Sequence, residues 1–208
     1  AIRTGGTAAV AANTLARRDA GVLAILGAGV QGGAHLETFT RLRDFEEIRV
    51  ASRDQAKAKS LAARHPRARV ATTFEDAVRG ADIVACCTDA REPVIRLEWL
   101  APGVHVSSVG GTFGPELDPQ TLAAAKVFVE WRGAALNAPP AGAHELQGLD
   151  ANAITEVGEV LAGTRQGRTS DDDLTVYKST GNAVDDAATA RLVYDRAIAE
   201  GAGVRLPL

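Results

Sequence analysis

Short apolar runs alternate along this chain with longer stretches in which apolar residues recur at helical spacing. The helical spacing predicts helices over 30–43, 54–64, 74–80 and 119–125, after an alanine-rich helix that runs from Thr4 to Arg18. Strands that alternate with helices and are apolar on both faces predict a mostly parallel sheet covered by helices on each side. The continuous apolar runs predict six strands, at Val22–Leu26, Ile48–Ala51, Ala68–Ala71, Ile83–Cys87, Val104–Val109 and Val127–Val129.

The pattern changes after about Leu136. A loop is predicted over 137–142, and helical spacing returns over 152–162, 170–179 and 183–200. Ser170 suits a helix N-cap, and the three aspartates that follow it lie where the helix dipole favours negative charge. A metal site is the alternative for these carboxylates, but capping needs fewer assumptions, so no metal site is predicted. We therefore expect residues 1–165 to form one α/β domain and 166–208 to form a C-terminal helical segment that completes it.

A glycine motif follows the first predicted strand directly. Gly27, Gly29 and Gly32 have the spacing G-x-G-x-x-G, and a predicted helix begins at the residues between the last two, Val30 and Gln31. Strand, glycine turn and helix together are typical of a dinucleotide site, where the diphosphate meets the N–H groups of the helix N-terminus. The alternative is a βα turn with no ligand. These five residues are the first part of a predicted cofactor site.

The end of the second strand indicates which dinucleotide binds. NAD-binding proteins usually place an acidic residue there to accept from the ribose 2′-hydroxyl, whereas this strand ends in Ser52 and Arg53. A hydroxyl and a guanidinium suit a 2′-phosphate, and Lys57 adds a second positive charge one turn into the next helix. The sequence therefore predicts NADP(H) as the preferred cofactor. NAD(H) stays open, since Arg53 can also be a solvated loop residue.

The later strands end in small residues. Because ligands in such sheets bind at the carboxyl ends of the strands, Thr88, Val109 and Gly110 are predicted to face the nicotinamide half of the cofactor. The fold class that follows is a Rossmann-type, doubly wound parallel sheet with strand order 3-2-1-4-5-6.

Composition narrows the choice of partners. The 208 residues carry a net charge of −3, which argues against nucleic acid or an anionic membrane as a partner. No apolar run approaches the roughly 18 residues of a membrane span, and the N-terminus lacks a signal-peptide pattern. Cys86 and Cys87 are adjacent, so in a strand they point to opposite faces and suit the core better than a disulfide. A reducing, cytoplasmic location is expected.

The chain resembles the ornithine cyclodeaminase/mu-crystallin family of NAD(P)-dependent imine and amino-acid oxidoreductases. The resemblance depends on several short motifs in a fixed order rather than on any single one. They are Arg3-Thr-Gly-Gly-Thr, Gly27-Ala-Gly-Val-Gln-Gly32, Ser52-Arg53, Arg91-Glu-Pro-Val94, Leu100-Ala-Pro-Gly-Val-His-Val-Ser-Ser-Val-Gly110, Glu116-Leu-Asp118, Gly158-Glu-Val-Leu-Ala-Gly163 and Tyr177-Lys-Ser-Thr-Gly181.

The resemblance implies more than the motifs do alone. In the family a Rossmann domain is joined to a substrate and dimerisation domain, so a homodimer and a further N-terminal segment outside these residues are expected. Arg3 would bind the carboxylate of a small imino or amino acid. Ser179 and Gly181 would contact the cofactor, and Thr112 would contact the substrate or a water as the catalytic residue.

One departure affects the expected reaction. True ornithine cyclodeaminases carry an aspartate where this chain has Thr112, and a hydroxyl does not accept a proton as a carboxylate does at neutral pH. Hydride transfer to the α-carbon of a cyclic imino acid, or from an amino acid, is therefore favoured over cyclodeamination. An alanine-type amino-acid dehydrogenase and a catalytically silent NADP(H)-binding protein remain as alternatives.

Overall fold

The computed structural model describes residues 1–111, 113–204 and 206. Within them, helices and strands alternate as the hydrophobic pattern predicts. The strands are β1 (Val22–Leu26), β2 (Glu47–Ala51), β3 (Ala68–Val70), β4 (Ile83–Cys86), β5 (His105–Ser108), β6 (Lys126–Val129), β7 (Thr155–Glu156) and β8 (Thr175–Lys178). The α-helices are α1 (Ile2–Leu15), α2 (Val30–Leu42), α3 (Gln55–Ala62), α4 (Phe74–Val78), α5 (Pro119–Ala124), α6 (Gly133–Leu136), α7 (Val157–Leu161) and α8 (Ala183–Glu200).

The strands form one parallel sheet in the order β3-β2-β1-β4-β5-β8-β6-β7. The order predicted from the sequence is confirmed from β3 to β5. The difference is that β8 lies between β5 and β6, while the two-residue strand β7 is hydrogen-bonded to β6 at the far edge. The order reverses between β1 and β4, and in doubly wound sheets a crevice for ligands lies at that point, outside the carboxyl ends of the strands.

The prediction of a helix over 170–179 is wrong, because Thr175–Lys178 is a central strand and Ser170 caps no helix. Asp173 instead closes a loop: its Oδ2 accepts from the backbone N–H groups of Thr169 and Ser170 and pairs with Lys126 Nζ at 2.6 Å. These charge-assisted bonds hold the pKa of Asp173 below its usual range, against the opposing effect of burial. The predicted helix over 152–162 is shorter, since it is α7 preceded by β7.

The sheet separates two apolar cores. Along β1, Leu23 and Ile25 pack under α1, α2 and α3, while Ala24 and Leu26 face the side of α4 and α5. The cysteines follow the same alternation: Cys86 belongs to one core, Cys87 to the other, and both are free thiols. Burial raises the pKa of both thiols, so neither supplies a thiolate.

Helix α8 is exposed along its whole length. None of its 18 residues is buried, and Val184, Leu192, Val193, Tyr194 and Ile198 are each more than half exposed. Its main attachment is the ion pair between Asp186 Oδ1 and Arg3 Nε of α1, 2.8 Å apart. Helices within the described part of the chain fall short of the length and apolarity that crossing a bilayer requires.

Candidate functional site

The turn between β1 and α2 has the geometry of a diphosphate site. Gly27 has a φ of +102°, and a Cβ there would lie 2.4 Å from the Cys87 carbonyl oxygen. A Cβ on Gly32 would lie 2.0 Å from the Gly27 carbonyl oxygen, so the helix packs against the turn only as glycine allows. At Gly29 a Cβ would meet no atom within 4 Å. The turn is therefore closed against the protein at two glycines and open toward the cleft at the third.

Helix α2 presents its N-terminus to this opening. Gly29 is the N-cap and has no side chain to satisfy the first N–H groups of the helix, which have no partner within the helix either. Val30, the first helical residue, is 78% exposed, while the buried Oε1 atom of Gln31 accepts no hydrogen bond from the described residues. Free N–H groups, a positive dipole end and an open glycine fit a diphosphate group.

A cleft of about 470 Å³ extends from this turn toward the second strand. Its lining brings together the ends of β1, β2 and β4, as the doubly wound topology requires. The lining residues are Gly27, Gly29, Ser52, Arg53, Asp54, Lys57, Phe74, Cys87, Thr88 and Asp89. Six of the thirteen residues predicted to bind cofactor are therefore in one cavity.

The end of the cleft beside β2 holds an acidic residue that the sequence did not predict there. Arg53 Nη2 pairs with Asp89 Oδ1 at 2.6 Å, and both side chains are 75% exposed. Asp89 lies beyond the end of β4, so an acid reaches this end of the cleft from a strand other than β2. Asp54 caps α3 through the N–H groups of Ala56 and Lys57, and the latter bond is the main reason that its pKa is lowered.

At the other end of the cleft, Thr88 and Gly110 belong to a buried network around Glu116. Glu116 Oε1 accepts from the N–H of Thr88 at 2.7 Å and from its hydroxyl at 2.6 Å. Glu116 Oε2 accepts from the Ser108 hydroxyl at 2.7 Å and from the Gly110 N–H at 2.8 Å. The fully buried carboxylate thus ties the ends of β4 and β5 together. Val109, between these contacts, packs against the apolar core.

Lys178 lies directly behind this network. Its side chain is fully buried and its Nζ donates to the Gly110 carbonyl at 2.7 Å and to the Ser108 hydroxyl at 2.9 Å. The Nζ also pairs with Glu145 Oε1 at 3.0 Å, and the Glu145 side chain is 1% exposed. The sequence analysis assigned no role to Glu116, Glu145 or Lys178. Two of them lie within the quoted motifs Glu116-Leu-Asp118 and Tyr177-Lys-Ser-Thr-Gly181, which were the only signal available.

Arg3 and the loop after β8 meet at the edge of the same face. Arg3 Nη2 would lie 3.1 Å from a Cβ on Gly181, which has a φ of +86°. Glu130, at the end of β6, holds this loop by accepting from the Ser179 hydroxyl at 3.1 Å and from the N–H groups of Thr180 and Gly181. Arg3, Ser179 and Gly181 are thus grouped, but Arg3 and Ser179 are already engaged with carboxylates. Thr112, the predicted catalytic residue, lies outside the described residues.

Comparison with known proteins decides the family. The sequence profile described as the ornithine cyclodeaminase/mu-crystallin family matches residues 1–201. The chain belongs to this family. Its relatives within the family include the ketimine reductase mu-crystallin of Mus musculus, which is 38% identical over 196 residues, 93% of this chain and 61% of that protein. The chain therefore spans about three fifths of the length of this relative.

Solved structures from the ornithine cyclodeaminase/mu-crystallin family have the same fold. The Delta(1)-pyrroline-2-carboxylate reductase of Thermococcus litoralis, in complex with NADH and L-proline, has a TM-score of 0.90 at 31% identity, covering 98% of this chain and 66% of that one. An archaeal alanine dehydrogenase dimer with bound NAD has a TM-score of 0.88 at 30% identity, covering 99% of this chain and 66% of that one. The doubly wound α/β class predicted from the sequence is confirmed.

Proposed function

We propose that this chain is the nicotinamide-dinucleotide-binding part of an oxidoreductase that transfers hydride to the α-carbon of a cyclic imino acid, or from the corresponding amino acid. The observation that carries the proposal is the cleft at the β1–α2 turn, where an open Gly29 faces a helix N-terminus without a side-chain cap. Relatives named as a ketimine reductase and as a pyrroline-carboxylate reductase support the substrate class. We also propose that the protein is cytoplasmic and works as a homodimer, since the archaeal alanine dehydrogenase with bound NAD is a dimer.

The residues have separate tasks in this proposal. The N–H groups at the start of α2 hold the diphosphate, while Ser52, Arg53 and Lys57 surround the adenosine ribose. The nicotinamide half then extends toward Thr88, Val109 and Gly110, with Ser179 and Gly181 at the far side. The bound cofactor supplies the hydride. Arg3 orients the substrate carboxylate through its guanidinium once Asp186 releases it, and Thr112 contacts the substrate or a water.

The division of the chain follows from the same arrangement. Residues 1–165 and 166–208 form one cofactor-binding unit, because β8 from the second part lies between β5 and β6 of the first. The apolar residues of α8 are exposed, and Asp186 of this helix pairs with Arg3, so a substrate domain that covers α8 would complete the site beside Arg3.

A single substitution tests the cofactor site without disturbing the fold. A Cβ at position 29 meets no protein atom within 4 Å, and a valine side chain there would fill the space that a diphosphate needs. Gly29→Val should therefore weaken NADH and NADPH binding by at least about tenfold, or about 1.4 kcal/mol. Gly158→Val is the matched control, because position 158 is equally open and lies on α7. Titration calorimetry measures both. Equal affinities for the wild type and the Gly29→Val variant would remove the proposal.

Turnover separates the enzymatic function from silent binding. We expect the longest available form of the protein to reduce a cyclic ketimine such as pyrroline-2-carboxylate. The loss of NAD(P)H absorbance measures this reaction. Cofactor binding without turnover of imines or amino acids would favour the silent alternative instead.

A further inference from the structure

We propose that the buried cluster of Glu116, Lys178 and Glu145 positions the Gly110–Gly111 turn as a fixed backbone surface for the nicotinamide end of the cofactor. The inference rests on the proposed cofactor site. It assigns a positioning role to three charged side chains that do not line the cleft themselves.

The cluster is hydrogen-bonded to both backbone polar groups of Gly110. Glu116 Oε2 accepts from the Gly110 N–H at 2.8 Å, and Lys178 Nζ donates to the Gly110 carbonyl at 2.7 Å. The Ser108 hydroxyl joins the two side chains, because it donates to Glu116 at 2.7 Å and accepts from Lys178 at 2.9 Å. Both polar groups of Gly110 are thus bonded to charged partners, and such bonds are stronger and more directional than neutral ones.

The close contacts of the cluster require glycine at both positions of the turn. A Cβ on Gly110 would lie 2.2 Å from the Thr88 carbonyl oxygen and 2.5 Å from Glu116 Oε1. Gly111 has a φ of +103°, and a Cβ there would lie 2.8 Å from Lys178 Nζ. The charged side chains therefore contact the turn as closely as a backbone without side chains allows.

The charge of the cluster is not needed for packing. Two carboxylates and one ammonium are buried together, and Glu145 Oε2 has no hydrogen-bond partner among the residues with described positions. Burying charges costs more than filling the same space with apolar groups of similar volume. Apolar residues at these three positions would stabilise the core more than charged ones. The desolvation cost of the charged side chains therefore indicates that they have a role in holding the turn.

The location of the turn tells which part of the cofactor it serves. In the proposed site the diphosphate would lie at the β1–α2 turn, and the adenosine would lie toward Ser52 and Arg53, which line the same cleft at the end of β2. The other half of the dinucleotide must extend across β4 toward β5, and the turn is the backbone at the end of β5. Disturbing the cluster should therefore affect the nicotinamide end and leave the ADP-ribose end unchanged.

Binding of NADH and of ADP-ribose to the same variants tests this. The double variant Lys178→Met with Glu145→Gln removes the ammonium together with the charge of the carboxylate that it pairs with, while Glu116 keeps its hydrogen bonds from Thr88, Ser108 and Gly110. Ser108→Ala is a milder change that keeps all three charged groups. For the wild type, NADH should bind at least about fivefold more tightly than ADP-ribose. In both variants this ratio should fall toward one, with ADP-ribose affinity within about twofold of the wild type.

Ile154→Ala is the control for general loss of stability, because Ile154 is a buried core residue near β7, far from the turn. It should lower the melting temperature and keep the wild-type ratio. A wild-type ratio of about one, an unchanged ratio in both variants, or an equal loss of both ligands would overturn the inference. If wild-type protein binds neither ligand, the proposed cofactor site itself is wrong, which is a separate outcome.

Discussion

At the scale of single residues, the ion pair of Arg53 and Asp89 would decide how strongly the proposed cofactor site binds a 2′-phosphate. The Arg53 guanidinium, which the sequence predicts to bind the phosphate, is paired with the Asp89 carboxylate at 2.6 Å. A phosphate must displace Asp89 and then lie near its negative charge. A ribose 2′-hydroxyl, by contrast, can donate to that carboxylate. In the proposed site the two residues would therefore act in opposite directions on the choice between NADPH and NADH. Two solved relatives contain NADH and NAD.

Reversing the charge at position 53 tests the role of the guanidinium. Arg53→Asp should weaken NADPH binding by about tenfold or more and NADH binding by much less, because only NADPH carries the phosphate that the guanidinium would contact in the proposed site. Calorimetric titration of both cofactors measures the difference. Equal losses for the two cofactors, or none, would contradict a phosphate-binding role for Arg53.

Asp89→Asn provides the matched change on the partner. Because the pair is exposed, its loss should have little effect on stability, while freeing the guanidinium should tighten NADPH binding by about two- to fivefold. NADH binding should weaken slightly or stay the same. Tighter NADH binding with unchanged NADPH binding would show that Asp89 does not compete for Arg53.

The sequence predicts the roles of some site residues better than those of others, and the reason is physical. Gly27, Gly29 and Gly32 act through their own backbone and a turn of six residues, so local spacing is enough to identify them. Lys178 has a role only because Gly110 and Glu145 reach it from other parts of the chain. A lysine in a short run is normally exposed, and no local pattern indicates that this one is buried.

At the scale of elements, the same distinction explains why β8 was missed. The run Thr175-Val-Tyr-Lys178 is short, polar at both ends and preceded by three aspartates that suit the start of a helix. Its strand conformation is fixed by hydrogen bonding to β5 on one side and β6 on the other. Among the first five strands, in contrast, β1 and β4 are continuous apolar runs, and the order of all five follows the rules of βαβ connections.

Helix α8 should be the least stable element of this chain. It has no buried residue, so little apolar burial opposes its unfolding, although Asn182 caps it and Asp185 and Asp186 favour its N-terminus. In hydrogen–deuterium exchange, peptides from α8 should exchange well before peptides from β8, which is buried at every position. Equal protection of the two elements would mean that α8 is covered in solution, for example by a second copy of the chain.

At the scale of the whole molecule, one sheet of parallel strands carries both the core and the site. Its two cores surround polar groups that have no access to water, among them His35 and His105, both fully buried. Burial lowers the pKa of His35 to about 4, although its bond to the Gln31 carbonyl acts in the opposite direction. Burial, together with the charges of Arg168 and Arg43, lowers the pKa of His105 to about 3. The folded protein therefore keeps both imidazoles neutral where the unfolded chain would protonate them.

The stability of the whole protein should consequently fall on mild acidification. Below the ordinary histidine pKa of 6.5 the unfolded chain binds protons that the folded chain does not bind. The free energy of unfolding is therefore highest above pH 6.5 and decreases as the pH falls toward 4. His35 alone should account for at most about 3 kcal/mol of this loss. Carboxylates with a lowered pKa, such as Asp173 and Glu47, add their losses as the pH falls through their ordinary pKa values of 3.8 and 4.5.

Urea unfolding at a series of pH values from 7.5 to about 4 measures this dependence. His35→Leu should reduce the slope of the curve between pH 6.5 and 4 and leave the part due to His105, since a neutral apolar side chain at position 35 binds no proton in either state. The exposed His144, changed to Gln, is the matched control and should leave the curve as it is. A variant at position 35 with the wild-type slope would show that His35 is protonated in the folded protein, and hence that water reaches the core between α2 and the sheet.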